Sequence, residues 1–561
     1  MLMLFRLLFV ASFAAVALAQ GQPAGAPAEP FVQEFGRSGE VGSFRAKFSP
    51  KGGGLMWLQT MDHYVSLQAA RHETHTGEDY LLLAYNGGDH ALRLVGSTPT
   101  TRFPVELGDA EWAVERGTDF VSFTLQSGDG LTLRRTLRHE PQNRGFVLEL
   151  ALRNSGATPG GKIEFELLGP ALVVQADSQL FGQQSVAIVA LPDGSNVHVA
   201  PSAGVLQQFE IDPKAMTFAG ATNRFFGAFL DPRDQGARDA LIGLAAETVP
   251  HLDAPELDQK AHSALRLRYR IAMTVPANDQ ETVASYGLYF GPKSFRAFET
   301  LTKPELYLPI LDVDLNPPCC GIDVPGGRFM AKSLLKLLGW FHDLIGNWGL
   351  AIIMLTVLVR GLMSPLNFRM QKSMRAYSAR MAVLKPKLDA LKQKHGDDQR
   401  AYQQAMLQLQ REHKLMPPIG GCLPIFLTMP IYIGLFTALR TAYDVRQQPF
   451  VAWIEDLSVA DHLLELSFWP HHFNLLPLLW IGLFVFMTLR QPLPTDPQQR
   501  QMQQIMRYMP LMFGVMLYGY ASALMIYMVT SMLWSLVESA VVKKILGPVD
   551  PNVASMTPQV M

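Results

Sequence analysis

Ile352-Ile353-Met354-Leu355-Thr356-Val357-Leu358-Val359-Arg360-Gly361-Leu362-Met363 places one guanidinium in an otherwise apolar run. That run decides how the second half of the chain folds. From Leu344 to Met363 the residues are apolar enough for a bilayer, whose hydrocarbon core takes roughly 20 helical residues. An arginine at mid-helix costs about 2.5–3.5 kcal/mol on insertion scales. Water or polar partners must offset it, because snorkelling toward the nearer end relieves only part of the cost. Thr356 and Ser364, at i−4 and i+4, share its helical face.

Further apolar runs follow at Cys422–Leu439, Phe473–Leu489 and Met509–Val542. The last would be about 50 Å long as one helix, too long for a single span, so it is expected to split near Gly519. This makes five spans. Leu366–Ile419 carries Arg369, Lys372, Arg375, Arg380, Lys385, Lys387, Lys392 and Lys394 among few acids, which assigns it to the cytoplasm by the positive-inside rule. Thr441–His472 carries Asp444, Glu455, Asp456, Asp461 and Glu465 against Arg446, as an outer loop would. Arg490, Arg500 and Arg507, then Lys543 and Lys544, mark the remaining inner ends. Within the basic loop, Met374, Met381, Leu384, Leu388 and Leu391, then Tyr402, Met406 and Leu409, recur at helical spacing around His395-Gly396-Asp397-Asp398. That predicts two amphipathic helices folded into a hairpin over 366–419. Phe329–His342 reads as an amphipathic helix on the outer membrane surface.

The last run also holds Tyr527, Thr530, Ser531, Trp534, Ser535 and Glu538 at i, i+3, i+4, i+7, i+8 and i+11, one polar stripe on a membrane helix. Thr428 and Thr437 add hydroxyls from another span. Hydroxyls often serve close helix packing, which accounts for the stripe but not for Arg360. A polar groove is therefore expected around Arg360, Thr356, Thr428, Tyr527, Thr530, Ser531 and Ser535, with Glu538 able to modulate its charge.

The first half reads differently. Leu265-Arg266-Leu267-Arg268-Tyr269-Arg270-Ile271 alternates strictly, and Phe146–Leu152 behaves similarly. Asn86-Gly87-Gly88, Gly128-Asp129-Gly130 and Pro192-Asp193-Gly194 punctuate such strands. The expected fold is α+β and multidomain: an antiparallel β-sandwich over 31–310, then a linker and interfacial helix over 311–343. An α-helical five-span core with its cytoplasmic hairpin covers 344–545, and a short tail 546–561. Ahead of these, 1–19 is a signal peptide ending in Ala17-Leu18-Ala19, or alternatively a first anchor. Residues 20–30 are a Gly/Ala/Pro linker.

The net charge of −1 offers no basic excess for nucleic acid. The three cysteines, Cys319, Cys320 and Cys422, form no metal or redox motif. His72 and His75 lack the spacing of a zinc protease. No nucleotide loop, metal, cofactor or catalytic residue is expected.

Several ordered motifs resemble the YidC/Oxa/Alb insertases over about 328–545. They are Gly346-Asn347-Trp348-Gly349 with Thr356 and Val359-Arg360-Gly361; Leu384-Lys385-Pro386-Lys387 with Gly396-Asp397-Asp398; Gly420-Gly421-Cys422-Leu423-Pro424 with Met429-Pro430-Ile431; and Pro449-Phe450, Trp453-Ile454 and Asp456-Leu457-Ser458. The β-rich half, with Tyr289-Phe290-Gly291-Pro292 near its end, resembles the periplasmic domain of Gram-negative members. The resemblance implies a multi-pass inner-membrane insertase and chaperone, not an enzyme. Its positively charged hydrophilic groove would admit nascent membrane proteins, alone or with the Sec translocon and the ribosome. In the family, the arginine matching Arg360 makes the groove positive and the tyrosine matching Tyr527 faces the incoming segment. This chain departs at Thr428, where relatives often carry glutamine, and at Glu538. It also lacks a proline turn in the last helical pair and a long basic tail. Two other classes stay open: a transporter of an anionic solute, and a membrane-anchored, carbohydrate-active periplasmic protein.

Overall fold

The alternation at Leu265–Ile271 becomes the strand Ala264–Thr274, with Leu265, Leu267, Tyr269 and Ile271 buried on one face. The opposite face is a charge ladder. Arg266 and Arg268 both reach Glu247 on one neighbouring strand, while Arg268 also meets Glu166 at 3.1 Å on the other. The computed structural model describes residues 29–85, 90–96, 107–128, 130–156, 160–173, 186–199, 206–249, 252–254, 259–261, 264–311, 326–395, 399–412, 423–465, 467, 472–490, 508 and 512–547. The expected leader, Cys319, Cys320, Cys422 and the C-terminal tail beyond 547 lie outside these residues.

Among the described residues, the largest sheet has nine strands. From edge to edge they are Asn196–Val199, Val186–Ala190, Phe218–Thr222, Phe226–Pro232, Gln280–Pro292, Gly145–Asn154, Leu131–Glu140, Phe120–Gln126 and Ala113–Arg116. Every neighbouring pair is antiparallel. A five-stranded sheet centred on Ala264–Thr274 faces it, and Tyr269 donates its hydroxyl to Ala219 O across the gap at 2.8 Å. A four-stranded sheet, Phe31–Phe35 to Tyr80–Tyr85, closes the end. Phe44, Leu148, Phe165 and Ile271, drawn from all three sheets, share one core.

The main helices of the second half are α1 (Gly327–Ile345), α2 (Trp348–His395), α3 (Gln399–Glu412), α4 (Leu423–Thr441), α5 (Leu475–Leu489) and α6 (Ser522–Leu546), with a further helical stretch at 512–516. The motif Gly346-Asn347-Trp348-Gly349 is explained by three contacts. Gly346, at φ +74°, ends α1 in the left-handed region that favours glycine. Asn347 then caps α2, accepting from Leu350 N at 3.0 Å. A Cβ on Gly349 would lie 2.0 Å from the Phe450 ring, so only glycine lets the outer loop pack there.

The hairpin differs from expectation. Its first arm is not a separate helix beginning near 366; α2 runs on for 48 residues through Pro365 and Pro386. Each proline removes one backbone hydrogen bond, which a long, otherwise regular helix tolerates as a local bend. The second arm is α3, which touches α2. The long final run is interrupted by a turn at Leu517–Gly519, and α6 begins at Ser522. There Ser522 N donates to Val459 O at 2.6 Å and Ala523 N to Leu457 O at 2.9 Å, so the outer loop takes up two N-terminal donors of α6. Among the described residues, Trp348–Ser373 and Ser522–Leu546 are long and apolar enough to cross a bilayer, and Leu475–Leu489 is apolar but shorter.

Candidate functional site

Arg360 is half-buried between α2, α4 and α6. Its guanidinium carbon lies 4.9 Å from the Tyr432 ring centroid, a cation–π contact that strengthens as water is excluded. Its Nε is buried with no hydrogen-bond partner among the described residues. The adjoining cavity, lined by Thr356, Arg360, Met363, Asn367, Tyr432 and Tyr527, measures about 20 Å³. That is room for about one water molecule. A ring face and a nearby carboxylate thus stand beside the arginine.

The expected site residues divide into two groups. Thr356 and Tyr527 line the cavity with Arg360. Tyr527 and Ser531 are buried on α6, and Thr530, Ser535 and Glu538 are half-buried further along it. The backbone of Thr428 belongs to α4, but its side chain lies outside the described residues. The hydroxyls do not turn toward the arginine as a set. Thr356 donates to Ile352 O at 2.7 Å and Ser535 to Ser531 O at 3.0 Å, each to the carbonyl four residues back on its own helix. Ser364 donates to Arg360 O at 3.1 Å and accepts from Trp534 Nε1 at 3.3 Å, which ties α2 to α6. Glu538 lies in this same corner, within electrostatic reach of Arg360.

Two residues here escaped the sequence reading. Asn367 has no distinguishing pattern. Tyr432 carries a usable signal, being a phenol in the middle of the apolar run Ile425–Leu439, where a buried hydroxyl needs a reason.

At the opposite end of α2 from the hairpin, the outer loop is braced internally. Asp461 accepts from Trp453 Nε1 at 3.1 Å and from Leu475 N and Leu476 N at 2.7 and 3.1 Å, capping α5. Asp456 accepts from Gln447 N and Ser458 N at 2.9 and 2.8 Å. The β-domain sits on this loop. Arg224 donates to Arg440 O at 2.9 Å and Ser458 O at 3.3 Å, and both Arg446 and Gln447 donate to Tyr64 O at 3.1 and 2.9 Å. Tyr443 packs edge-on against His63 and Phe226.

A β-rich domain seated on helices, two of them long and apolar enough to cross a bilayer, is the build of an integral membrane protein. The sequence profile of the family described as 60Kd inner membrane protein matches residues 340–548. A membrane protein insertase YidC of Tolumonas auensis is 34% identical over 484 residues, covering 82% of this chain and 76% of that protein. The chain belongs to the YidC family of the bacterial inner membrane. The YidC of Neisseria meningitidis serogroup C is 35% identical over 274 residues, 48% of this chain and 45% of its own length. That of Neisseria gonorrhoeae is 39% identical over 211 residues, 38% of this chain and 35% of its own. The chain thus spans less than half the length of these Neisseria relatives. Among solved structures, galactose 1-epimerase from Lactobacillus acidophilus NCFM matches at 9% identity and a TM-score of 0.25, over 47% of this chain and 99% of that protein. A 4-alpha-glucanotransferase from Thermococcus litoralis matches at 11% and 0.22, over 47% and 40%. Scores this low carry no conclusion about the β-domain.

Proposed function

We propose that this chain inserts hydrophobic segments of newly made proteins into the inner membrane, and that it does so without catalysing a covalent reaction. The observation that carries the reading is Arg360: a half-buried guanidinium between membrane helices, faced by Tyr432 and Tyr527 and bordered by Glu538. Such a charge is costly in lipid and has a use when a substrate's hydrophilic tail must pass part-way through the bilayer. In this reading the spans around Arg360, with Thr356, Thr428, Tyr527, Thr530, Ser531 and Ser535, open a hydrophilic groove. An acidic tail is attracted transiently, and the apolar segment then leaves sideways into lipid, driven by burial of its own surface.

The core has five spans in this proposal, with the basic hairpin in the cytoplasm and the β-domain in the periplasm. What supports that arrangement is the seating of the β-domain on the acidic outer loop, at the end of α2 remote from the hairpin. The partners are nascent membrane proteins, with the Sec translocon and the ribosome upstream.

The test is insertion of one model substrate, with acidic or neutral translocated tails, in cells depleted of their own insertase. Arg360→Lys keeps most activity, whereas Arg360→Ala loses it on the acidic tail and much less on the neutral one. Glu538→Gln, which removes an opposing charge, maintains or raises insertion of the acidic tail. Equal insertion of the acidic tail by Arg360→Ala and the unmodified chain overturns the groove-charge mechanism.

A further inference from the structure

A second cavity, of about 300 Å³, lies where three parts of the molecule meet. The end of the β-domain contributes Lys293–Arg296 and Glu299, α1 contributes Lys336, Gly339, Trp340 and Asp343, and the start of the outer loop contributes Thr441–Asp444. It is about fifteen times the size of the cavity beside Arg360, with room for several waters or one small polar group.

Its charges are of both signs. Arg296 is already engaged, donating to the Asp343 carboxylate and to Gly339 O and lying over the Trp348 ring. Lys336 Nζ stands 5.2 Å from the Phe295 ring centroid, with no carboxylate in ion-pair distance among the described residues. Glu299 at the rim likewise has no cation in ion-pair distance among them. Asp444 lies deeper, facing Arg296 and Glu299 and bonded to Ser294. Burial raises its carboxyl above the ordinary range, and Arg296 and Ser294 only partly counter this. A further ammonium donor beside Asp444 would relieve that cost.

The mouth of the cavity adjoins the face of α1 that is left uncovered. Phe329, Lys336, Trp340 and Leu344 fall at i, i+7, i+11 and i+15, on one side of the helix. Phe329, Trp340 and Leu344 are 74%, 59% and 67% exposed. Two exposed aromatics and a leucine with a lysine between them form the pattern of a helix lying at headgroup depth. Lys336 and Trp340 belong both to that face and to the cavity lining.

We propose that this cavity binds the headgroup of an ethanolamine phospholipid from the outer leaflet: phosphate against Lys336 and the Trp340 indole, ammonium against Asp444 and Glu299. A choline headgroup has no N–H to give Asp444, and a glycerol headgroup brings no cation at all. The assignment rests on the periplasmic placement of the β-domain in the functional reading above, which puts α1 at the outer surface of the membrane, and is independent of Arg360.

The test uses the full chain in mixed micelles holding equal amounts of phosphatidylethanolamine, phosphatidylcholine and phosphatidylglycerol, with retained lipid identified by native mass spectrometry. The expected result is one ethanolamine lipid retained about tenfold over the other two, the size of one charge-assisted hydrogen bond. Asp444→Asn abolishes that preference, whereas Lys336→Gln lowers retention of all three lipids, whose phosphate they share; Lys336 is exposed, so its variant keeps the fold. Equal retention of the three lipids, an unchanged preference in Asp444→Asn, or unchanged lipid retention in Lys336→Gln, overturns the assignment. So does displacement of the lipid by an equal concentration of water-soluble glycerophosphoethanolamine, which would make the free headgroup the ligand. Insertion by the same preparations is scored separately. A chain that inserts substrate but shows no lipid preference removes the lipid site and leaves the insertase reading standing.

Discussion

Asp62 shows how close neighbours within the β-domain set the charge of one buried carboxylate. Burial alone would raise its carboxyl. The charge and 2.6 Å hydrogen bond of His63, with Thr60 and the Gly42 N–H, outweigh burial and hold it at about 2. Because the folded value lies below the unfolded one, this stabilisation is complete above the ordinary carboxylate range and is lost as pH falls from about 4 through about 2. Asp62→Asn should therefore cost about 2 kcal/mol at pH 6 and almost nothing at pH 2, read from urea unfolding of the full chain by tryptophan fluorescence. A cost that does not change between those pH values would assign the role of Asp62 to packing alone. At Arg360 the primary structure betrayed the anomaly, since an arginine in an apolar run announces itself. It did not give away the remedy. The stripe of hydroxyls pointed toward the arginine, yet Thr356 and Ser535 bond their own helices while the Tyr432 ring meets the guanidinium. Periodicity says which face a side chain occupies; it does not say which acceptor its hydroxyl prefers.

Between elements, close approach depends on a few glycines. Gly349 admits the Phe450 ring, and Gly434 on α4 brings α1 near enough that a Cβ there would stand 3.1 Å from Ala331 N. Gly349→Ala should lower the melting temperature of the detergent-solubilised chain, by overpacking worth about 1–3 kcal/mol. Phe450→Ala in the same chain should restore part of the loss, because it vacates the space the new methyl needs. A double variant no more stable than Gly349→Ala alone would mean that the ring is not what the methyl strikes. The strands around 265–271 and the apolar runs were legible in the sequence, because burial writes a period of two or an unbroken hydrophobic stretch directly into it. The Gly349–Phe450 contact was not, since it joins positions far apart in the chain and leaves no local trace. The continuity of α2 was missed for a different reason. A proline and a change from apolar to amphipathic pattern read as a boundary at 366, although the backbone crosses both without breaking.

Across the whole molecule, the β-domain and the helices meet through a small polar seat. Arg224, itself buried, donates to two carbonyls at the edge of the helical part, one on α4 and one in the outer loop. Arg224→Ala removes both bonds and leaves those carbonyls without this donor, at a cost of about 1–3 kcal/mol each if they stay dry. Hydrogen exchange over 441–461 should quicken in this variant while the nine-stranded sheet keeps its protection. Faster exchange in both regions would instead mean that Arg224 holds the β-domain itself together. The two prolines of α2 act on the same scale. They are 21 positions apart, just under six turns, so they fall within about 60° of each other around the helix axis. Both rings are solvent-exposed. Proline sites on nearly the same side favour bending in one plane, where sites on opposite sides would cancel. Any flexing of α2 at the two prolines would therefore tip the hairpin within that plane.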